Sequence, residues 1–381
     1  MLPTLARLNL RFSVLAISLF TGCLCPAQEV PTLELKNSEI KVIRNARSDP
    51  FLDPVRCDEK GTVYLRTYQY PKPLAAPIHR LSDDGKRLPD LSLTSVQELS
   101  GAEYQVKDFQ IASRGDVRLL VASRKVSDDD TQNDAEVSIV TFDREGVFRA
   151  RTKLDSAADF EPVQFAGFPD GKILVLGWVE KIPENYKPQK NVSPPVEPHA
   201  LIFDASGRMV QEVDITRPAG TVRPKGASGR PDSPAKDPDS QGTSTDRWTI
   251  SGGGLVVGED GNAYFLHKTN PASVDVISES GQRIRTFSLP APSPKAQTWW
   301  VKPIPGLRLL VNFIEDEGED KSSGQTQYFY VVDSNSGDVL YRYRIPSTEG
   351  GVYACHIPPH TFVFLGSNSD GFLTEVRALP R

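Results

Sequence analysis

The sequence predicts an all-β fold: a six-bladed β-propeller of four-stranded antiparallel blades, the last blade closed by an N-terminal strand. Three observations lead there. A short turn motif ending in glycine recurs five times along the 381 residues. A second hairpin precedes each recurrence, and strand-like segments left over at the two ends of the chain complement one another.

The turn motif is an apolar residue, then Ser or Asp, then mostly polar residues and a glycine. It reads Leu81-Ser82-Asp83-Asp84-Gly85, Phe142-Asp143-Arg144-Glu145-Gly146 and Phe203-Asp204-Ala205-Ser206-Gly207. It returns as Ile277-Ser278-Glu279-Ser280-Gly281 and, one residue longer, as Val332-Asp333-Ser334-Asn335-Ser336-Gly337. Successive glycines lie 61, 61, 74 and 56 residues apart, which suits a repeated supersecondary unit. Asp and Ser bond their own backbone two residues on, and Gly supplies the positive φ of a tight return. The flanks, such as Ser138-Ile139-Val140-Thr141-Phe142 and Val274-Asp275-Val276-Ile277, alternate like half-buried strands.

The preceding hairpins span 55–65, 109–121, 163–176, 255–266 and 299–313, turning at Gly61, Gly115, Gly171, Gly261 and Gly306. Their second strands are continuously apolar, as in Ile173-Leu174-Val175-Leu176, the mark of strands covered on both faces. Two hairpins in succession make a four-stranded meander, inner strands first and outer strands last. Repeated radially, such meanders are propeller blades. No amphipathic helix is discernible after residue 27.

The sixth unit is partial, with strands expected over 352–355, 361–365 and 372–379. Residues 32–35 or 40–43 offer its missing outer strand, which would pair an edge otherwise open to aggregation. In this register Cys57 opens the first turn of the first unit and Cys355 holds the matching place in the last. If the ring closes and the Cα atoms come within about 7 Å, a disulfide joins them; the alternative is two isolated buried thiols. Over residues 30–381 the strand–turn repeats resemble six-bladed propellers of the NHL and TolB-like kind. That resemblance implies a ring with a central channel and one decorated face, and it transfers no catalytic residue.

The first 27 residues read as a signal peptide, with Arg7 and Arg11 ahead of the apolar run 13–20. Cleavage after Cys25-Pro26-Ala27 would start the mature chain at Gln28; alternatively Phe20-Thr21-Gly22-Cys23 is a lipobox and Cys23 carries lipid. Residues 28–381 are expected to form a single propeller domain, extracytoplasmic and monomeric, with no transmembrane span. Arg7 and Arg11 leave with the signal, so 42 basic residues face 49 acidic ones. That mildly acidic balance argues against nucleic acid, which demands a basic surface.

The stretches 70–77, 123–135, 181–198 and 315–326 are expected as long second-to-third loops, and 216–247 as a blade-to-blade link. All fall on one face of the propeller. The link is rich in Pro, Gly, Ser, Lys and Asp and is expected to be disordered. Long loops gathered on a rigid scaffold favour recognition. The expected function is therefore a non-enzymatic binding or scaffold protein of the cell envelope, with an unknown protein or small-molecule ligand on the long-loop face. The alternative is a metal-dependent hydrolase or lyase in the central channel, which needs three or more His, Asp or Glu side chains converging on the axis.

Motifs for chemistry are sparse, and no cofactor is implied. His356 and His360 have four-residue spacing, but Pro358 and Pro359 exclude the helix that would align them. Asp333 to Asp338 echoes a calcium loop without its fifth-position acid, and Arg344 stands where the closing Glu belongs, so it reads as a turn. The Arg114-Gly115-Asp116 tripeptide falls in an inner-hairpin turn. Trp299 and Trp300 should face opposite sides of a regular strand, one packed between blades and the other towards the axis or a neighbouring blade. No nucleophile elbow, phosphate loop or paired-cysteine metal motif is present.

Overall fold

The computed structural model describes residues 30–35, 37–43, 51–67, 77–84, 86–112, 114–125, 135–157, 159–181, 196–216, 250, 252–316, 325–346, 352–357, 361–368 and 371–378. Two strands, β1 (Thr32–Glu34) and β2 (Asn37–Ile43), precede the first meander of β3 (Phe51–Cys57), β4 (Val63–Thr67), β5 (Ile78–Leu81) and β6 (Arg87–Leu91). The second is β7 (Ala102–Ile111), β8 (Val117–Lys125), β9 (Ala135–Phe142) and β10 (Phe148–Leu154). The third is β11 (Phe160–Gly167), β12 (Ile173–Glu180), β13 (Val196–Phe203) and β14 (Met209–Glu212). Next come β15 (Leu255–Val257), β16 (Ala263–His267), β17 (Ala272–Ile277) and β18 (Arg283–Leu289), then β19 (Gln297–Ile304), β20 (Arg308–Asp316), β21 (Gln325–Asp333) and β22 (Val339–Ile345). The chain finishes on β23 (Val352–Ile357), β24 (Thr361–Asn368) and β25 (Gly371–Ala378).

The architecture is an all-β propeller of four-stranded antiparallel blades. Five sheets have that form, and one of them is completed by β2, which pairs antiparallel with β25. The expected six four-stranded blades are corrected here, because the sheet of β19–β22 holds five strands. β1 lies parallel along β22, with Thr32 opposite Arg342 and Glu34 opposite Arg344. The Leu35 N–H extends the pairing to the Arg344 carbonyl at 3.0 Å, and its side chain is buried among β19–β24 residues. An open outer edge has unpaired backbone groups, and the extended segment ahead of β2 satisfies them. The N-terminal segments predicted as alternatives for closure are thus both used, on different sheets.

The recurring Ser and Asp act as their chemistry demands. Asp143 accepts from the N–H groups of Glu145 and Val147 at 3.0 and 2.8 Å, and Asp204 from those of Ser206 and Arg208 at 2.9 and 3.1 Å. Ser82 and Ser278 do the same for Lys86 and Gln282 at 3.0 and 3.2 Å. The Val147 N–H is the main reason the Asp143 carboxyl lies below its ordinary range. These side chains replace backbone partners that a two-strand return leaves unmet.

The core lies between successive sheets. Leu120, Ile139, Phe165 and Val175 fill one such layer, and Tyr264, Leu266, Val311 and Tyr330 another. At the seam between the last and first meanders, Ala354, Cys355 and Leu365 pack on Val55, Leu65 and Leu81. There Cys57 and Cys355 are paired with Cα atoms 5.5 Å apart, a separation that suits a disulfide.

Several predicted loops are shortened because the strands run on. β8 reaches Lys125, β13 starts at Val196, and β20 and β21 extend to Asp316 and from Gln325. The predicted signal peptide with Cys23, most of the 216–247 link, and His360 lie outside the described residues.

One glycine shows how tightly neighbouring sheets approach. Gly207 has φ +87°, and a Cβ there would lie 2.0 Å from the Lys153 carbonyl oxygen. Gly101 has φ +76° with open space around it. Gly207→Ala should therefore lower the unfolding free energy by about 3 kcal/mol and Gly101→Ala by about 1 kcal/mol, the cost of the left-handed backbone alone. Equal losses for the two in urea titrations would show that the close approach at Gly207 carries no energy.

Candidate ligand site in the axial channel

The first strand of each meander lines the axis: β3, β7, β11, β15, β19 and β23. Such a strand has a ladder on one side only. Its other edge points backbone N–H and C=O groups at its neighbours, and burial makes leaving them unmet costly. Polar side chains from adjacent inner strands meet them. Asp108 on β7 accepts from the Phe165 N–H of β11 at 3.2 Å. Gln164, also on β11, accepts from the N–H groups of Gly254 and Leu255, both at 3.1 Å, and donates to the Ile250 carbonyl at 2.7 Å. Gln110 joins β7 to β11 through the Phe165 carbonyl and the Gly167 N–H. The Val301 N–H donates to the Gly253 carbonyl at 2.9 Å.

Lysines and arginines supply donors to the carbonyls. Lys302 on β19 donates to Tyr353 of β23 at 3.2 Å and to Val55 of β3 at 2.9 Å, bridging three inner strands at the seam. Lys268, just past β16, donates to the Gly252 carbonyl at 2.8 Å, and Arg66 at the end of β4 to the Val106 carbonyl. Arg56 pairs with Asp108 at 3.1 Å, tying β3 to β7. Lys107 pairs with Glu161 across β7 and β11.

Bulges shape the lining. The ladders slip between Val106 and Asp108, between Pro162 and Gln164, and between Thr298 and Trp300. Lys107, Val163 and Trp299 are the extra residues, and a bulge re-aims a side chain that regular alternation would turn away. As a result, consecutive residues such as Lys107 and Asp108, or Trp299 and Trp300, border the same cavity. Trp300 packs in the core between sheets while the half-buried Trp299 borders the cavity, in keeping with the expectation of one between blades and one towards the axis. Trp300 is stacked on Tyr353 with ring centroids 5.0 Å apart. Burial raises the Tyr353 phenol above its usual range, so it stays neutral.

The cavity measures about 320 Å³. Among the described residues, five cationic side chains border it (Arg56, Arg66, Lys107, Lys268 and Lys302) with one carboxylate, Asp108, and Lys107 is itself paired with Glu161. Lys268 stands over the Trp299 ring at 5.3 Å, and Lys302 over Trp300 and Tyr353 at 4.9 and 4.7 Å. Val163, Leu255, Val256 and Val301 supply apolar wall. It sits at the end of the channel where β4, β8, β12 and β20 finish, the end from which the predicted long loops depart. A wider space of about 1050 Å³ occupies the opposite mouth and shares Arg56, Val256, Lys302 and Tyr353 with it.

The wider mouth holds several residues that the sequence singled out. Cys57, Cys355, Arg114, Asp116 and His356 border it, and the His356 ring packs on Phe362 at 5.2 Å. The turn after Asp333 is a hairpin return between β21 and β22, as its pattern indicates. No group of three His, Cys, Asp or Glu side chains able to hold a metal ion occurs among the described residues. The sequence reading missed the cations altogether. Their signal was present as polar interruptions in apolar inner strands, in Val55-Arg56-Cys57, Val106-Lys107-Asp108-Phe109 and Val301-Lys302.

No protein-family model matches this chain, and no curated protein matches it in sequence. Solved structures are similar to it in fold. A protein of unknown function from Dyadobacter fermentans is 9% identical over 91% of this chain and 99% of its own, with a TM-score of 0.52. A Dos1 propeller is 10% identical over 90% and 95% of the two chains at a TM-score of 0.43, and a luciferin-regenerating enzyme 11% identical over 90% and 96% at 0.45. At such identities the likeness concerns fold alone.

The inner-strand network makes a specific energetic claim. Gln164→Leu fills similar volume but leaves the N–H groups of Gly254 and Leu255 and the Ile250 carbonyl without that partner. It should destabilise the protein by about 3 kcal/mol in denaturant titrations. A loss below about 0.5 kcal/mol would show that those groups find other partners.

Proposed function

We propose that this chain is an exported, non-enzymatic binding protein of the cell envelope that holds its ligand in the axial cavity. In this reading it is a six-bladed propeller of the NHL and TolB-like kind, the five-stranded sheet serving as the sixth blade. The observation that carries the proposal is the cavity itself: concave, bordered by aromatic and apolar wall, and crowned by cations on rigid strands. Its volume is at the lower end of the range for small-molecule sites, about 300 Å³ and upward. Its side chains are held by backbone contacts, the preorganisation that ligand sites need. The sequence from Arg7 to Ala27 supports export.

Binding is tested by exposing the purified chain to a small-molecule extract of cell envelopes and examining it by native mass spectrometry. A retained compound, recovered with unchanged mass after prolonged incubation, is the expected result. Absence of any adduct would overturn binding, and conversion of the compound would favour an enzyme.

Export into an oxidising compartment would also join Cys57 to Cys355. Non-reducing peptide mapping of the secreted protein should recover the two cysteines linked. Their 298-residue separation makes reduction cost about 5–6 kcal/mol of stability in the loop-entropy account. Free thiols at both positions in exported material would remove the bond from the proposal.

A further inference from the structure

We infer that the ligand of the axial cavity is an uncharged aromatic molecule of one or two fused rings, an inference that rests on the binding reading above. Two bulges carry it. Their extra residues, Val163 on β11 and Trp299 on β19, bring apolar side chains to the cavity from separate sheets, and both stay only half-buried. Half-buried Pro54 borders the same space. Bulges gather beside functional sites because they re-aim side chains. Apolar groups aimed into a space open to water gain free energy when a ligand covers them.

The charged groups around that wall are already engaged within the protein. Arg56 pairs with Asp108 at 3.1 Å, and Lys107 with Glu161. Lys268 donates to the Gly252 carbonyl at 2.8 Å, Lys302 to those of Val55 and Tyr353, and Arg66 to that of Val106. Gln164 commits its amide to Ile250, Gly254 and Leu255. A charged ligand would compete with these partners, and its gain is offset by what it displaces. An uncharged ring needs none of them. The buried Lys268 ammonium, 5.3 Å from the Trp299 ring centre, helps to fix the indole as a platform. A planar ring lying flat or edge-on against Trp299 gains stacking beyond its buried area. The volume of about 320 Å³ limits the body to one or two fused rings.

The test uses the whole chain and four related probes, each titrated by calorimetry at neutral pH. They are 2-naphthamide, the anion 2-naphthoate, the cation 2-naphthylmethylammonium and the saturated decahydro-2-naphthamide. The naphthamide should bind at least tenfold tighter than each of the others. Its affinity should stay within twofold as sodium chloride is raised from 50 to 500 mM, and it should quench tryptophan emission as it binds. Trp299→Leu should weaken it about tenfold. Gly252→Leu should do the same, because Gly252 borders the cavity at a position where a Cβ meets nothing within 4 Å, so the new side chain narrows the space without displacing a neighbour. The comparison among probes on the unaltered protein stands even if a variant fails to fold. Naphthoate or the ammonium binding as tightly as naphthamide overturns the requirement for an uncharged ligand, and the saturated amide doing so overturns the aromatic one. Unchanged naphthamide affinity in both variants overturns the cavity as its place. If envelope extract yields a retained compound while naphthamide does not bind, the inference falls and the binding reading survives. If neither binds, both fall.

Discussion

A strand beside a propeller axis has an edge that no ladder covers, and this constraint organises the rest of the molecule. The N–H groups of Phe165, Gly254 and Leu255 and the carbonyls of Val55, Val106, Gly252 and Tyr353 belong to such edges or to the segments beside them. Each receives a side chain from a neighbouring inner strand or strand end. Amides and carboxylates serve the donors, and lysines and arginines serve the carbonyls. Leaving such groups buried and unpaired costs more than a typical hydrogen bond returns, so polar side chains are forced into the heart of an otherwise apolar assembly.

The candidate site follows from that solution. Satisfying carbonyls on several strands gathers cations around one axis, while the donors require only Asp108, Gln164 and Gln110. Among the described residues, these cations are therefore structural in origin, each bonding a backbone carbonyl of a neighbouring strand or strand end. Bulges add the second ingredient by turning Lys107, Val163 and Trp299 into the same space as their neighbours. The stack of Trp300 on Tyr353 shows the same economy, because it fills core between two sheets and backs the Lys302 ammonium at once.

Closure is distributed over the seam. Lys302 spans β19, β23 and β3, and Cys57 and Cys355 sit within bonding distance between β3 and β23. β2 completes the sheet of β23–β25, and β1 covers the outer edge of β22. The N-terminal segment thus touches two sheets in succession, and Leu35 between its strands is buried where the first pairing ends. Shared pairing of this kind removes two open edges with ten residues of strand.

The sequence by itself determined the hairpins, since a turn is a local event. Asp143, Asp204 and Ser278 bond backbone groups within four residues, so their spacing from the following glycine was sufficient information. It also determined the continuous apolar strands and the matched register of Cys57 and Cys355, because both follow from the repeat. The tertiary structure alone decided which polar residues meet. Gln164 and Gly254 are 90 residues apart, and Lys302 and Val55 are 247 apart. It also decided that the strands would run on into predicted loops, that β1 would lie parallel on β22, and that both tryptophans would border one cavity. Those outcomes depend on unpaired edges and on bulges, which redirect side chains against the period of two. No local pattern encodes an edge, because an edge exists only once the neighbouring sheet is in place.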